Sequence, residues 1–222
     1  SKRYDPDVIN PVFARTSDFI AYEQYDAKQN IGSINIADPL LNASKQIMAT
    51  RSNKWRIAWD GGIYITLIHK VAGSVALYSL YSLDTETKRF IKDLDRIENL
   101  EMLWSPDNSS ALISSTESGQ DTLSVIYTAN DVITNLHLKT KSSKCGWSAD
   151  STLIYCGVTQ TSGTDSLIRM RLADQSVTIL YQAQNTQRID MRSLFVKNLG
   201  DLLVFTNAVN GKLYSFAITQ PE

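Results

Sequence analysis

Two acidic side chains, Glu101 and Asp190, are the candidates for acid–base chemistry in this chain. Each lies in a segment predicted to form the first strand of a repeated β-unit, where a side chain can point into a central channel. Such a pair could supply the acid and the base of a glycoside hydrolase or lyase that acts on a polysaccharide. A third acid at a matching place is missing, so this enzyme is the alternative interpretation and not the main prediction.

Three further aspartates, Asp60, Asp107 and Asp150, recur in phase along the chain. All three are predicted to lie at hairpin tips, where an aspartate caps the turn. The histidines, His69 and His137, fall inside predicted strands of different repeats. Nucleophile-elbow, phosphate-loop and paired-histidine zinc motifs are absent from the sequence. We therefore predict a non-catalytic protein with no catalytic residue, no metal site and no cofactor.

The only cysteines, Cys145 and Cys156, flank a short polar turn. If Asp150 and Ser151 are the tip residues of a hairpin, Cys145 lies directly opposite Cys156, whereas a one-residue bulge would shift them by one step. Directly opposed residues at a non-hydrogen-bonded site have Cα atoms about 4.5 Å apart, within reach of a disulfide. We predict this cross-strand disulfide. The alternative is a pair of buried thiols in a cytosolic protein.

Positive charges collect in the predicted loops that join the last strand of one repeat to the first strand of the next. These basic loop residues are Arg51, Lys54, Arg96, Lys139, Lys141, Lys144 and Arg188, opposed only by Asp95 and Glu98. Arg56 and Trp55 stand near the predicted channel mouth, and Trp55 is either a contact anchor or a core residue. We predict a basic loop face that binds an acidic protein or polymer. The alternative is a solvated set of charges that aids solubility.

The composition limits the classes of function. Lys and Arg number 22 and Asp and Glu number 23 among 222 residues, a net charge of -1, so a strongly basic nucleic-acid binder is not indicated. Hydrophobic residues make up 43%, enough for a sizeable core. No apolar run approaches the roughly 18 residues of a membrane span. We expect a monomeric protein.

A repeat organises these residues. Trp59, Trp104 and Trp147, which we call the repeat tryptophans, lie 45 and 43 residues apart, the period of a propeller blade. Each is followed by a polar turn and then by three short apolar runs, which predicts four antiparallel strands per repeat. We expect the repeat tryptophans to pack between neighbouring blades.

Weaker copies flank the three central ones. The predicted blades cover residues 11–50, 51–94, 95–138, 139–184 and 185–219 of one domain. The last copy lacks a fourth strand, and we predict that residues 4–9 supply it beside residues 212–218, because a propeller commonly closes in this way. The predicted fold is therefore all-β, a five-bladed β-propeller of four-stranded antiparallel blades closed by an N-terminal strand. An open β-sandwich is disfavoured by the fixed period.

Residues 103–108, Leu-Trp-Ser-Pro-Asp-Asn, followed by an apolar run, resemble the repeat of TolB-like (WD-repeat-like) β-propellers, in which an aromatic-Ser-Pro-Asp-Gly turn opens each blade. Asn108 stands where that pattern has glycine. In the Trp147 copy, Ala149 stands where the pattern has proline and Ser151 where it has glycine. Residues 144–148, 154–156 and 203–207, with Asp190, are similar to membrane-anchored propellers of candidate-phylum (Patescibacteria-like) bacteria. That resemblance implies an anchor preceding the chain and an extracytoplasmic location, and it implies no activity.

Overall fold

The computed structural model describes residues 7–14, 17–59, 62–107, 109–127, 132–182, 184, 188–197 and 202–218. Nineteen strands lie among these residues, and they form five antiparallel sheets in which neighbours in sequence are neighbours in the sheet. We call these sheets blades 1 to 5 in chain order. The first four have four strands and the fifth has three. The predicted all-β, five-bladed architecture is confirmed.

The chain divides into two compact units. Unit 1, residues 1–98, contains blades 1 and 2. Blade 1 consists of β1 Val8–Phe13, β2 Ile20–Asp26, β3 Ile31–Ala37 and β4 Ser44–Thr50. Blade 2 consists of β5 Trp55–Trp59, β6 Tyr64–Lys70, β7 Leu77–Asp84 and β8 Phe90–Glu98.

Unit 2, residues 99–222, contains blades 3 to 5. Blade 3 consists of β9 Glu101–Trp104, β10 Ser110–Glu117, β11 Gln120–Tyr127 and β12 Val132–Leu138. A 3-10 turn, Ser142–Lys144, leads into blade 4, which consists of β13 Cys145–Trp147, β14 Leu153–Thr159, β15 Asp165–Arg171 and β16 Val177–Tyr181. Blade 5 consists of β17 Met191–Val196, β18 Leu202–Asn207 and β19 Lys212–Ala217.

The repeat tryptophans Trp59 and Trp147 are buried between blades. Trp59 packs in a cluster with Ile34 of blade 1 and Leu67 of blade 2. Trp147 packs with residues of blades 3 and 4, and its indole Nε1 donates a hydrogen bond to the carbonyl of Leu103 at 3.1 Å. The hydrophobic area that each ring removes from water therefore holds two neighbouring sheets together, as the period predicted for these two residues. Trp104 is half-buried, and its packing between blades stays a prediction.

The hairpin-tip aspartates hold turns, as predicted for Asp107 and Asp150; Asp60 lies outside the described residues. Asp107 Oδ1 accepts hydrogen bonds from Ser105 Oγ at 2.7 Å and from the Ser109 amide at 3.1 Å. Partial burial opposes ionisation of Asp107, but these bonds outweigh it and lower its pKa to about 2. Asp150 accepts equivalent bonds from Ser148 Oγ and the Thr152 amide.

The predicted closing strand is corrected where the structure describes it. Residues 1–6 lie outside the described residues, but Val8 and Ile9 belong to β1 and pair with Gln24 and Glu23 of β2. A bulge at Asn10 and Pro11 carries β1 past the proline, which has no N–H to pair. The first strand of blade 1 therefore begins at Val8, before residue 11, where the blade was predicted to begin. Among described residues, β19 pairs only with β18.

The boundary between blades 2 and 3 is also corrected. The strand β8 extends to Glu98, so Asp95, Arg96 and Glu98 lie on an outer strand and not in a loop. Ser79 Oγ donates a hydrogen bond of 2.6 Å to Asp95 Oδ1, which fixes this acid against β7. Arg96 is therefore removed from the predicted basic loop set.

No helix among the described residues is long and apolar enough to cross a membrane.

Candidate functional site

The cysteine pair is cross-linked in the register that the hairpin predicts. Cys145 of β13 pairs with Cys156 of β14, their Cα atoms are 4.1 Å apart, and their sulfurs form a disulfide. Both residues are buried in the cluster between blades 3 and 4. In blade 2 the equivalent cross-strand pair, two positions before the repeat tryptophan, is Ile57 and Leu67. The disulfide thus replaces an apolar core contact.

A charged side chain stands three residues before each repeat tryptophan, on the first strand of its blade or immediately before it. These residues are Arg56 in blade 2, Glu101 in blade 3 and Lys144 in blade 4. Each of these residues was a separate candidate in the sequence, and their shared position in the repeat was missed. The period of the tryptophans contained that signal.

Lys144 is the centre of a buried polar cluster in unit 2, which we call the inner cluster. Its Nζ lies 2.9 Å from Asp165 Oδ2 and 2.7 Å from Asp190 Oδ1. It also donates a hydrogen bond to Thr159 Oγ1 at 3.2 Å. The side chain of Lys144 is only 10% exposed and that of Asp165 only 1% exposed. The expectation that Lys144 is a loop cation on the surface is therefore corrected: its charge is buried and neutralised.

Asp165 also organises the backbone of the inner cluster, and Asp190 is held ionised within it. Asp165 Oδ2 accepts a hydrogen bond from the Met191 amide at 2.7 Å, which ties β15 to the start of β17. Burial opposes ionisation of Asp190, but Lys144 and Arg192 outweigh it and hold the pKa of Asp190 below its usual value. A carboxyl with a lowered pKa stays ionised and is poorly suited to act as a general acid near neutral pH.

Glu101, the other candidate acid, is engaged as well. Its Oε2 accepts a hydrogen bond of 3.2 Å from the amide of Ser143, in the turn that precedes blade 4. Arg192, at 3.3 Å from Asp190, completes the inner cluster. In the described part of the chain, no group of three or more His, Cys, Asp or Glu side chains could hold a metal ion.

Blade 2 fills the matching position in a different way. The guanidinium of Arg56 lies over the ring of Tyr78, 4.5 Å from its centroid. Tyr78 is paired with Lys70 at the end of β6, just as Asp165 is paired with Thr159 at the end of β14. At the two positions where blade 4 has a carboxylate and a hydroxyl, blade 2 therefore has an aromatic ring and a second cation, Lys70.

A cleft of about 440 Å³ opens beside this position in unit 1, and we call it the basic cleft. It is lined by Tyr25, Asn30, Arg51, Ser52, Asn53, Lys54, His69 and Lys70 together with residues 71–74. Three cations, Arg51, Lys54 and Lys70, lie in this lining, and none of the lining residues that the structure describes is acidic. Throughout the ranges that the structure describes, these three cations form no ion pair. Lys70 was not among the predicted basic residues.

His69 lies in the wall of the basic cleft. Its Nε2 is 2.6 Å from Ser52 Oγ, so the imidazole is held against the loop that carries Arg51 and Lys54. Burial lowers the pKa of His69, and the charge of Lys54 adds to this effect, although the backbone of Lys70 acts in the opposite direction. The imidazole is therefore neutral near pH 7, and the positive charge of the cleft comes from the three cations.

Trp55 lies under the cleft and not on its surface. It is 8% exposed, and its ring contacts those of His69, Tyr81 and Phe90. Its Nε1 donates a hydrogen bond to Thr50 Oγ1 at 3.0 Å. This is the position of a core residue, the second of the two interpretations of Trp55.

The other predicted loop cations belong to unit 2. Lys139 and Arg188 are exposed, and Lys141 is half-buried with its Nζ 3.9 Å from Asp121. Arg188 borders a largely apolar cleft of about 420 Å³ lined in part by Tyr181, Phe205 and Tyr214. Arg51, Lys54 and Arg56 belong to unit 1, and a single basic face shared by both sets of residues stays a prediction.

Comparison with known proteins identifies the fold. Protein-family models and curated protein sequences give no match. TolB from Acinetobacter baumannii is similar at a TM-score of 0.60 and 15% identity, over 97% of this chain and 55% of that one. An oligogalacturonate lyase in complex with manganese has a TM-score of 0.72 at 11% identity, over 99% of this chain and 68% of that one.

The β-propeller domain of the Trilobed protease from Pyrococcus furiosus is also similar, with a TM-score of 0.63 at 13% identity over 97% of this chain and 68% of that one. This chain has the β-propeller fold, and its blades resemble those of TolB-like propellers. Identities this low establish the fold alone. The matched proteins include enzymes and TolB, so the fold does not specify the function, which depends on the sites of this chain.

Proposed function

We propose that this protein is a non-catalytic binding propeller that engages an acidic protein or polymer through its basic loops, with the basic cleft as the main contact. The observation that carries the proposal is that Arg51, Lys54 and Lys70 line one cleft, and that no acidic side chain lies in the part of its wall that the structure describes. A cation without an ion-pair partner can bind an anionic ligand without first breaking an internal contact. Clustered charges of one sign also raise the local concentration of oppositely charged partners.

The inner cluster supports the non-catalytic part of the proposal. Asp190 is bound to Lys144 and Arg192, and Glu101 accepts a hydrogen bond from the backbone. Both candidate acids therefore have structural partners that catalysis would have to displace. Turnover of a polysaccharide that is lost in Glu101→Gln or Asp190→Asn would overturn this part of the proposal.

We also propose an extracytoplasmic location. The Cys145–Cys156 disulfide supports it, because such bonds persist mainly in oxidising compartments. The resemblance to membrane-anchored propellers points in the same direction. Mass spectrometry of protein alkylated at harvest from its native host tests this proposal: a cross-linked pair is expected, and two free thiols would contradict export.

Binding to immobilised poly-glutamate and polygalacturonate tests the partner class. We expect retention that weakens as salt rises past about 0.15 M, where screening acts over roughly 8 Å. The double variant Arg51→Glu/Lys54→Glu should lose retention. The matched control, Lys88→Glu/Arg89→Glu, makes the same charge change in the β7–β8 turn, at the other end of the strands of blade 2, and should retain binding. Equal loss in both variants would show that only net charge matters and would contradict the proposal.

A further inference from the structure

We infer that the basic cleft of blade 2 is a site for a phosphorylated sugar, either free or as a unit of an acidic polymer. This inference rests on the proposed binding function and names the chemistry of its ligand. Arg51 and Lys54 come from the β4–β5 connection, and Lys70 comes from the end of β6, so two separate elements bring three cations to one cleft.

The number of unpaired cations favours a dianion over a single carboxylate. Three positive side chains in one cleft repel one another, and a ligand with two negative charges relieves more of that repulsion than a ligand with one. A phosphate monoester carries about -1.5 to -2 charge at pH 7 and offers three acceptor oxygens, one for each cation. Charge-assisted hydrogen bonds of this kind are the strong ones in recognition.

The rest of the lining suits a hydroxyl-rich group attached to the phosphate. The volume of about 440 Å³ falls in the range of roughly 300–1,000 Å³ that is typical of small-molecule sites. Neutral polar side chains in the wall, Asn30, Asn53 and Ser74, can exchange hydrogen bonds with hydroxyls. Tyr25 adds an aromatic ring whose hydroxyl is hydrogen-bonded to Asn30. Together these groups fit a sugar better than an apolar ligand.

The probes for the test are glucose 6-phosphate, glucuronate and glucose, which share a hexose and differ in charge. Titration calorimetry at pH 7.5 and low salt should show glucose 6-phosphate binding at least about tenfold more tightly than glucuronate, with no binding of glucose. Inorganic phosphate in place of the sugar phosphate distinguishes a site for the anion alone from a site for the phosphorylated sugar. We expect it to bind more weakly than glucose 6-phosphate.

Matched variants locate the site. Lys54→Gln and Lys70→Gln should each weaken glucose 6-phosphate binding by about tenfold. The control Lys88→Gln/Arg89→Gln should change it less than about twofold. Thermal melting of each variant verifies that the fold is intact.

The chain has only two histidines, so the imidazole NMR signals of His69 can be assigned with His137→Gln. A dianion bound in the cleft should shift these signals and raise the pKa of His69.

The outcomes separate this inference from the function on which it rests. Poly-glutamate binding that depends on Arg51 and Lys54, without glucose 6-phosphate binding, overturns the phosphate inference and keeps the proposed function. Glucuronate binding as tightly as glucose 6-phosphate also overturns it, and so does inorganic phosphate binding as tightly as the sugar phosphate. Binding of glucose 6-phosphate that is lost in Lys54→Gln and Lys70→Gln supports the inference. If acidic polymers then fail to bind, the site stands and the polymer function falls.

Discussion

Blades 2 and 4 place a cation at the same point of the repeat, three residues before a buried tryptophan, but they surround it differently. In blade 4, Lys144 is enclosed by the carboxylates of Asp165 and Asp190. In blade 2, Arg56 lies over Tyr78, and the loops beside it carry cations that have no acidic partner among the described residues of the cleft. The same repeat position therefore carries a cation in a buried ion-pair cluster in unit 2 and a cation near an exposed basic cleft in unit 1.

The second strands show a similar contrast. Ser114 of blade 3, opposite Glu101, accepts a hydrogen bond of 2.9 Å from the Ser142 amide and so holds the turn that leads into blade 4. The corresponding residue of blade 1 is Glu23, opposite Ile9 and fully buried. Neither of its carboxyl oxygens makes a hydrogen bond of normal geometry with a residue that the structure describes. Burial raises the pKa of Glu23 to about 7, although the backbone of Trp55 and the side chain of Asn10 act in the opposite direction.

The strongest test of the first comparison changes one lysine in each region. Lys144→Gln should lower the free energy of unfolding by about 3 kcal/mol, because it leaves the carboxylate of Asp165 buried without its counter-ion. Lys54→Gln, an exposed lysine in the equivalent loop, should change it by less than about 0.5 kcal/mol. Urea unfolding monitored by tryptophan fluorescence measures both. Equal effects would remove the distinction between the two regions.

Loss of the disulfide should cost somewhat less. The double variant Cys145→Ser/Cys156→Ser should lower the free energy of unfolding by about 2–3 kcal/mol, since a loop closed over 11 residues limits the entropy of the unfolded chain. Reductant should destabilise the wild type to a similar level and leave the double variant unchanged. A wild type insensitive to reductant at equilibrium would contradict a stabilising role of the bond in blade 4.

Glu23 should make the free energy of unfolding fall as pH rises, whereas an ordinary paired carboxylate makes it rise. Its folded pKa of about 7 lies above its value in the unfolded chain, so its protonated form favours folding and that contribution is lost as pH rises through 7. Between pH 5 and pH 8 the loss should be about 2 kcal/mol. Glu23→Gln should abolish this component in urea unfolding at the two pH values. A wild type and variant with parallel pH profiles would contradict the assignment.

The smallest effect is expected for the basic cleft itself. The triple variant Arg51→Gln/Lys54→Gln/Lys70→Gln should leave the free energy of unfolding unchanged or raise it by up to about 0.5 kcal/mol, because it removes repulsion and breaks no ion pair. Thermal unfolding in low salt measures this. A decrease of more than about 1 kcal/mol in the free energy of unfolding would mean that the three cations stabilise the fold and are not available to a ligand.

Strands, turns and the disulfide register could be predicted from the sequence because they depend on residues that are close together in the chain. The short apolar runs around each repeat tryptophan predicted four strands, which blades 2, 3 and 4 have, and the hairpin count placed Cys145 opposite Cys156. Asp107 and Asp150 were assigned to turns because an aspartate bonds to amides within a few residues of itself. Glu98 was misplaced because a polar run looks the same on an exposed outer strand and in a loop.

The repeat, the propeller fold and the disulfide register were thus determined by the sequence itself, since a period of about 45 residues and a two-residue hairpin leave few alternatives. The environment of each charge was decided only by the tertiary structure. Lys144 and Lys54 are both lysines at the end of a loop that leads into an inner strand, yet one is neutralised and the other is not. The physical reason is distance along the chain: the acids that enclose Lys144 lie 21 and 46 residues beyond it, and only the packing of blades 4 and 5 brings them together.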